Sequence, residues 1–124
     1  LTVFSYFDSG KRPSGSEPER FYHGFVLGLM VEFTDRYIIT SNRESGLGRY
    51  DVMLKPRKNE DNAIILEFKI HDPENEKNLQ ETVDAALKQI KDMNYQAALV
   101  AEGIPETRIK KYGFAFEGKK VLIG

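Results

Sequence analysis

The chain has 124 residues, 40% of them hydrophobic and 30% charged, with a formal net charge of −1. That suits one globular domain with its own core, and it removes the global field that draws strongly basic domains to nucleic acid or anionic membrane. With no cysteine and two well-separated histidines, disulfides, thiol catalysis and cysteine-ligated zinc are excluded, and no apolar run approaches the roughly 20 residues of a membrane-spanning helix.

Residues 1–15 read as an N-terminal segment and loop: "LTVFSYFDSG" is a short apolar stretch, and "KRPSGS" carries Pro13 and Gly15, which punctuate regular structure. A helix should start near Ser16, with Pro18 in its first turn and Glu19 three residues after the cap, a capping-box pattern. It runs through "RFYHGFVLGLMVEF" and is apolar nearly all round, which predicts burial on several sides. Gly24 and Gly28 weaken such a helix in isolation and are expected to permit close packing on a sheet. "YIITSN" (37–42), "RYDVMLKP" (49–56) and "AIILEFKI" (63–70) read as strands, with "ESGLG" and "RKNEDN" as the turns between them.

A second helix should start at Asn78 with Glu81 at the box position. Its apolar stripe is Leu79, Val83, Ala86, Leu87, Ile90 and Met93. "QAALVA" (96–101) reads as a short internal strand parallel to a neighbour. "GIPETRIKKY" reads as a connection with a helical turn, and "GFAFEGKKVLIG" as a hairpin turning at Glu117-Gly118. The order predicts an α/β domain, a mixed sheet with a helix on each side.

The chemistry sits in the third strand. Glu67 and Lys69 lie two apart in a run that otherwise looks deeply buried, so they share a face. If strands 49–56 and 63–70 form an antiparallel hairpin, Asp51 falls opposite Glu67 or within one pair of it. Two carboxylates meeting on a buried face repel each other and are costly to desolvate. A divalent cation relieves both costs, and oxygen ligands with waters suit Mg²⁺ or Mn²⁺. A lysine beside them serves a water nucleophile or a phosphate. A solvated charge stripe on an exposed face is the competing reading.

These residues resemble the core of the PD-(D/E)XK nuclease-like superfamily, an aspartate and an E-x-K on adjacent strands after a helix bearing a glutamate. The wider pattern resembles one branch, found at the C-terminal end of bacterial proteins whose N-terminal part is an AAA-type ATPase-like domain. The pieces that carry it are "EPERFYHGFVLGLMVE", "SNRESGLGRYDVMLKP", "IILEFK", "ALKQIKDMNY" and "YGFAFEGKKVLI", nearly the whole chain from Ser5 onward. The resemblance implies a restriction-endonuclease-like core, with a central mixed β-sheet flanked by α-helices. It implies a metal-dependent nuclease with Mg²⁺ or Mn²⁺ on Asp51 and Glu67, the Phe68 carbonyl as a third ligand, Lys69 as the catalytic lysine and Glu19 as an extra acidic ligand. Gln89 and Tyr95 match a Q…Y element beside the site in related nucleases, here with five residues between them instead of the shorter usual spacing. Tyr50 stands where the superfamily's name-giving proline would precede the aspartate.

Each residue also has a structural reading. Glu19 is a complete capping-box residue, and His23, one turn on, is a candidate for phosphate or metal contact or for a hydrogen-bonded structural role. Arg49 is one same-face step from Asp51 and is expected either to contact phosphate or to neutralise the acidic pair. Asn42 reads as a turn residue, Gln89 as core-closing or site-lining, and His71 as a loop residue. Lys119 and Lys120 are candidates for a phosphate backbone or for guarding a sheet edge. The expected partners are nucleic acid, DNA first, and an upstream ATPase-like domain on a longer chain, of which residues 1–124 are one piece starting at Leu1. A homodimer is open, no membrane is expected, and the location is expected to be cytoplasmic. The alternative function is a catalytically weak or inactive nuclease-fold module for binding or regulation.

Overall fold

The computed structural model describes residues 2–5, 17–44 and 49–124, with side chains for 21–42 and 49–124. The described elements are β1 (Thr2–Ser5), α1 (Glu17–Phe33), β2 (Tyr37–Glu44), β3 (Arg49–Pro56), β4 (Ala63–Ile70), α2 (Leu79–Met93), α3 (Gln96–Ala101), a 3₁₀ turn (Glu106–Arg108), β5 (Ile109–Glu117) and β6 (Lys120–Ile123). The expected cap Ser16 and most of the turn after β2 lie outside the described residues.

The strands form one six-stranded mixed sheet in the order β1-β6-β5-β4-β3-β2. β2, β3 and β4 are an antiparallel meander. β5 lies parallel to β4, and the crossover between them carries α2 and α3, as a parallel connection requires. This is the α/β core with flanking helices that the periodicity predicts.

The two faces of the sheet have different cores. Val52, Leu54, Leu66 and Phe68 pack with Tyr22 and Val26 of α1. Ala63 and Ile65 pack with Ile90 of α2 and Leu99 of α3. Strand alternation then assigns every β3 and β4 side chain to one helix or the other.

Three expectations are corrected. "QAALVA" is the helix α3, not a strand. Alanine favours helix, only Leu99 of the six residues is buried, and the place parallel to β4 belongs to β5. α1 is not buried on several sides: Leu27 is 58% and Val31 76% exposed. Gly24 and Gly28 do not seat the helix on the sheet, since a Cβ added at either meets nothing within 4 Å. The helix uses one face, led by Tyr22 and Val26, and leaves the other to solvent among the described residues.

α2 begins as expected. The Asn78 side chain accepts from the Glu81 N–H at 3.0 Å, and Glu81 accepts from the Lys77 N–H at 2.9 Å. Val83, Ala86 and Ile90 are buried, while Met93 is exposed. No helix among the described residues is long and apolar enough to cross a membrane.

Candidate functional site

The β3–β4 register puts Asp51 directly opposite Glu67 and Arg49 opposite Lys69. Met53 of β3 and Ile65 of β4 belong to the core under α2, so Asp51, Glu67, Lys69 and Arg49 lie on that face by alternation. Asp51 is 5%, Glu67 1% and Lys69 8% exposed. The charges are therefore buried, and the solvated-stripe reading does not describe them.

Asp51 is held on both oxygens. Asn42, its cross-strand partner on β2, donates from Nδ2 to Oδ1 at 3.1 Å. Tyr95 donates its hydroxyl to Oδ2 at 3.0 Å. Tyr95 gets there because α2 stops at Asn94, which adopts the left-handed conformation (φ 53°) that asparagine tolerates best after glycine. Burial, the hydrogen bond to Asp51 and the charges of Asp51 and Glu67 push the Tyr95 phenol above its ordinary range, against a hydrogen bond from Gln89. Gln89, Tyr95 and Asp51 thus form one connected chain, with Tyr95 neutral and donating.

Lys69 points to a different carboxylate. Its ammonium lies 2.6 Å from Glu76, in the loop before α2. Glu76 also accepts from the Asp72 N–H at 2.8 Å and from the Thr82 hydroxyl at 2.7 Å. His71 Nδ1 is 2.7 Å from the Thr82 hydroxyl and 3.4 Å from Glu76. Sequence reasoning does not single out Glu76 or Thr82, and it reads His71 only as a loop residue. Their signal there is faint: a lysine in a buried strand needs a counter-charge, and only the loop's fold selects which of its acids supplies it.

The other candidates divide by face. His23 sits on the α1 side, where its Nδ1 is 3.0 Å from the Tyr50 hydroxyl, across the sheet from Asp51. Tyr22 donates to the Phe68 carbonyl at 3.0 Å, so that oxygen already accepts one hydrogen bond. Glu19 lies in the first turn of α1, with its side chain outside the described residues. Among the described residues, no cluster of three or more His, Asp or Glu side chains is placed to hold a metal.

The basic residues are split. Arg49 is half-buried on the carboxylate face, and Lys120, exposed, follows the β5–β6 turn at the same end of the sheet. Arg57 and Lys58 lie at the β3–β4 turn, and Lys110 and Lys111 pair with Ile64 and Ile65, toward the opposite end. Lys55 is in an ion pair with Glu102, and Arg108 donates to the Asp61 carbonyl.

A buried Asp opposite a buried Glu, with Lys two residues on, is the arrangement that the D…E-x-K pattern describes. The family model of the PD-(D/E)XK nuclease superfamily matches residues 17–124. The chain belongs to the PD-(D/E)XK nuclease superfamily. The match takes in α1, all three meander strands, α2 and the closing hairpin. No curated protein matches the chain, and no solved structure does. As a member of this superfamily the domain has a nuclease-type fold, and such nucleases generally use divalent metals.

Two features of the residues bear on whether such a metal fits here. The donors that face each other are carboxylate oxygens, the chemistry that hard divalent cations select. Their pairing on one buried face is also electrostatically costly until a cation joins them. Asp51 and Glu67 fit the group.

Proposed function

We propose that this domain is a metal-dependent nuclease that hydrolyses a phosphodiester of nucleic acid. The observation that carries the reading is the register: Asp51 opposite Glu67, with Lys69 one same-face step beyond, all three buried. Asp51 and Glu67 would hold Mg²⁺ or Mn²⁺, with the Phe68 carbonyl and Glu19 as further oxygen donors. When bound, the cation would polarise the phosphate and make a water nucleophilic.

The protein's own residues divide the remaining work. Asn42 and Tyr95 fix the Asp51 carboxylate by one hydrogen bond to each oxygen. Gln89 steadies Tyr95. Lys69 brings a positive charge beside the carboxylates, suited to the charge that develops on a phosphate oxygen. Arg49, opposite Lys69 on the same face, extends the positive side toward a phosphate. His23, across the sheet and bonded to Tyr50, is left out of the proposed contacts. From the sequence resemblance we place an ATPase-like domain upstream on a longer chain, in a bacterial cytoplasm.

The test is Mn²⁺ calorimetry on wild type, Asp51→Asn and Glu67→Gln, followed by cleavage assays on single- and double-stranded DNA and on RNA. Binding should vanish in both variants, and cleavage should fall by about a hundredfold or more. Wild type that binds no Mn²⁺ and cuts no substrate overturns the reading.

The split of basic residues favours a second reading, a nuclease-fold module that binds or regulates. Phosphate-backbone binding draws on a continuous basic surface, and much of the positive charge here lies at the end of the sheet away from the carboxylates. That module would bind a protein partner with Asp51 and Glu67 dispensable, which the same variants test.

A further inference from the structure

We propose that Glu76 is a positioning residue for Lys69, a role that rests on the nuclease reading for its purpose but not for its geometry. The lysine is nearly buried, and an ammonium at that depth requires a counter-charge. Two carboxylates are available on its own face, Glu67 two residues back and Asp51 across the ladder. The ammonium instead meets Glu76 at 2.6 Å.

Glu76 is itself immobilised before it touches Lys69. Its Oε1 takes the Asp72 N–H and the Thr82 hydroxyl, while its Oε2 takes the ammonium. One oxygen is thus committed to the scaffold and the other to the lysine. Thr82 is fully buried on α2 and is contacted in turn by His71, whose own N–H is fixed on the Phe116 carbonyl at 2.7 Å. The loop after β4, the first turn of α2 and the end of β5 therefore converge to set one carboxylate orientation. A counter-charge alone would need none of this. A fixed acceptor holds Nζ at a defined place beside Asp51 and Glu67 and keeps it from collapsing onto them, leaving their oxygens to a cation.

The test uses the reactivity of Lys69, which does not depend on catalysis. Wild type, Glu76→Gln, Glu76→Asp and Thr82→Val are treated briefly with an amine-acetylating reagent, and modification of Lys69 is read by mass spectrometry against exposed Lys58. Lys69 should be protected in wild type and label about tenfold faster in Glu76→Gln, the factor that one charged hydrogen bond supplies. Glu76→Asp should restore part of the protection. Thr82→Val, which keeps the Glu76 charge but loosens its hold, should lie between; it carries the test if Glu76→Gln does not fold. Where cleavage is measurable, kcat should fall in Glu76→Gln with KM unchanged. Equal labelling of Lys69 in wild type, Glu76→Gln and Thr82→Val overturns the proposal. Faster labelling in a domain that cleaves nothing keeps the positioning role and removes the nuclease reading.

Discussion

At the scale of single residues, Asp51 leans on Asn42 and Tyr95 while Lys69 leans on Glu76. Asp51 and Lys69 thus each have support from another element. Without a cation, Asp51 and Glu67 remain facing like charges, so Glu67→Gln should leave the metal-free domain as stable as wild type or more stable by up to about 1 kcal/mol. Thermal melts should show this gain together with loss of any Mn²⁺-induced rise; a large destabilisation without metal would mark Glu67 as a structural residue. Glu76 gives a pH signature. Burial acts to raise its carboxyl, but donation from Lys69, the Asp72 N–H and the Thr82 hydroxyl outweighs it and holds the group below its ordinary 4.5. A depressed folded value stabilises fully above the unfolded one and is lost as pH falls through the folded one. The stability gap between wild type and Glu76→Gln should therefore be widest at about pH 7 and close below that ordinary value, read from urea melts across pH. A gap independent of pH would mean that the ion pair contributes nothing.

At the scale of elements, glycines on two secondary-structure elements should respond in opposite directions. Gly24 is an exposed helical glycine with open space where a Cβ would stand. Gly24→Ala should stabilise by about 1 kcal/mol through helix propensity. Gly113 sits under α2: an added Cβ would lie 2.9 Å from the Val83 carbonyl and 3.1 Å from the Ala86 Cβ. Gly113→Ala should cost about 1–3 kcal/mol by levering α2 off β5, and it should weaken any metal binding as well, since Gly113 is the register partner of Glu67. Denaturant melts of both variants check the pair of signs. The same elements show what could be read from sequence. The meander is legible because three short apolar runs are bounded by turn residues and "RKNEDN" centres the hairpin, and that centre alone places Asp51 opposite Glu67 or within one pair of it. α3 is not, because five apolar residues in a six-residue run carry no period that separates a buried strand from a short helix. The exposure of Leu27 and Val31 was hidden for a related reason: an apolar helix surface does not say which side meets the sheet. Asn42 reads as a turn residue because it closes the predicted strand 37–42, whereas β2 runs on to Glu44 and holds Asn42 in the ladder opposite Asp51. Glu76 was illegible, since a loop of several acids does not reveal which one folds back onto Lys69.

At the scale of the whole molecule, the decisive quantity is where the positive charge lies. A net charge of −1 gives little long-range attraction to a polyanion, so any nucleic-acid affinity must come from local contacts. Arg49 on the carboxylate face and Lys120, with its neighbour Lys119, at the same end of the sheet offer about two or three phosphate contacts. Each contact releases a counterion, so the logarithm of the binding constant should fall with the logarithm of salt with a slope of about −2 to −3, shallow beside strongly basic domains. Lys119→Glu with Lys120→Glu should flatten that slope by about two units and weaken binding of every sequence alike. Lys110→Glu with Lys111→Glu, at the other end of β5, should change neither the slope nor the affinity. Anisotropy titrations of a labelled oligonucleotide over a salt series would measure both. If the Lys110 and Lys111 pair carries the slope instead, nucleic acid is bound away from Asp51 and Glu67, and the binding-module reading takes the place of the nuclease.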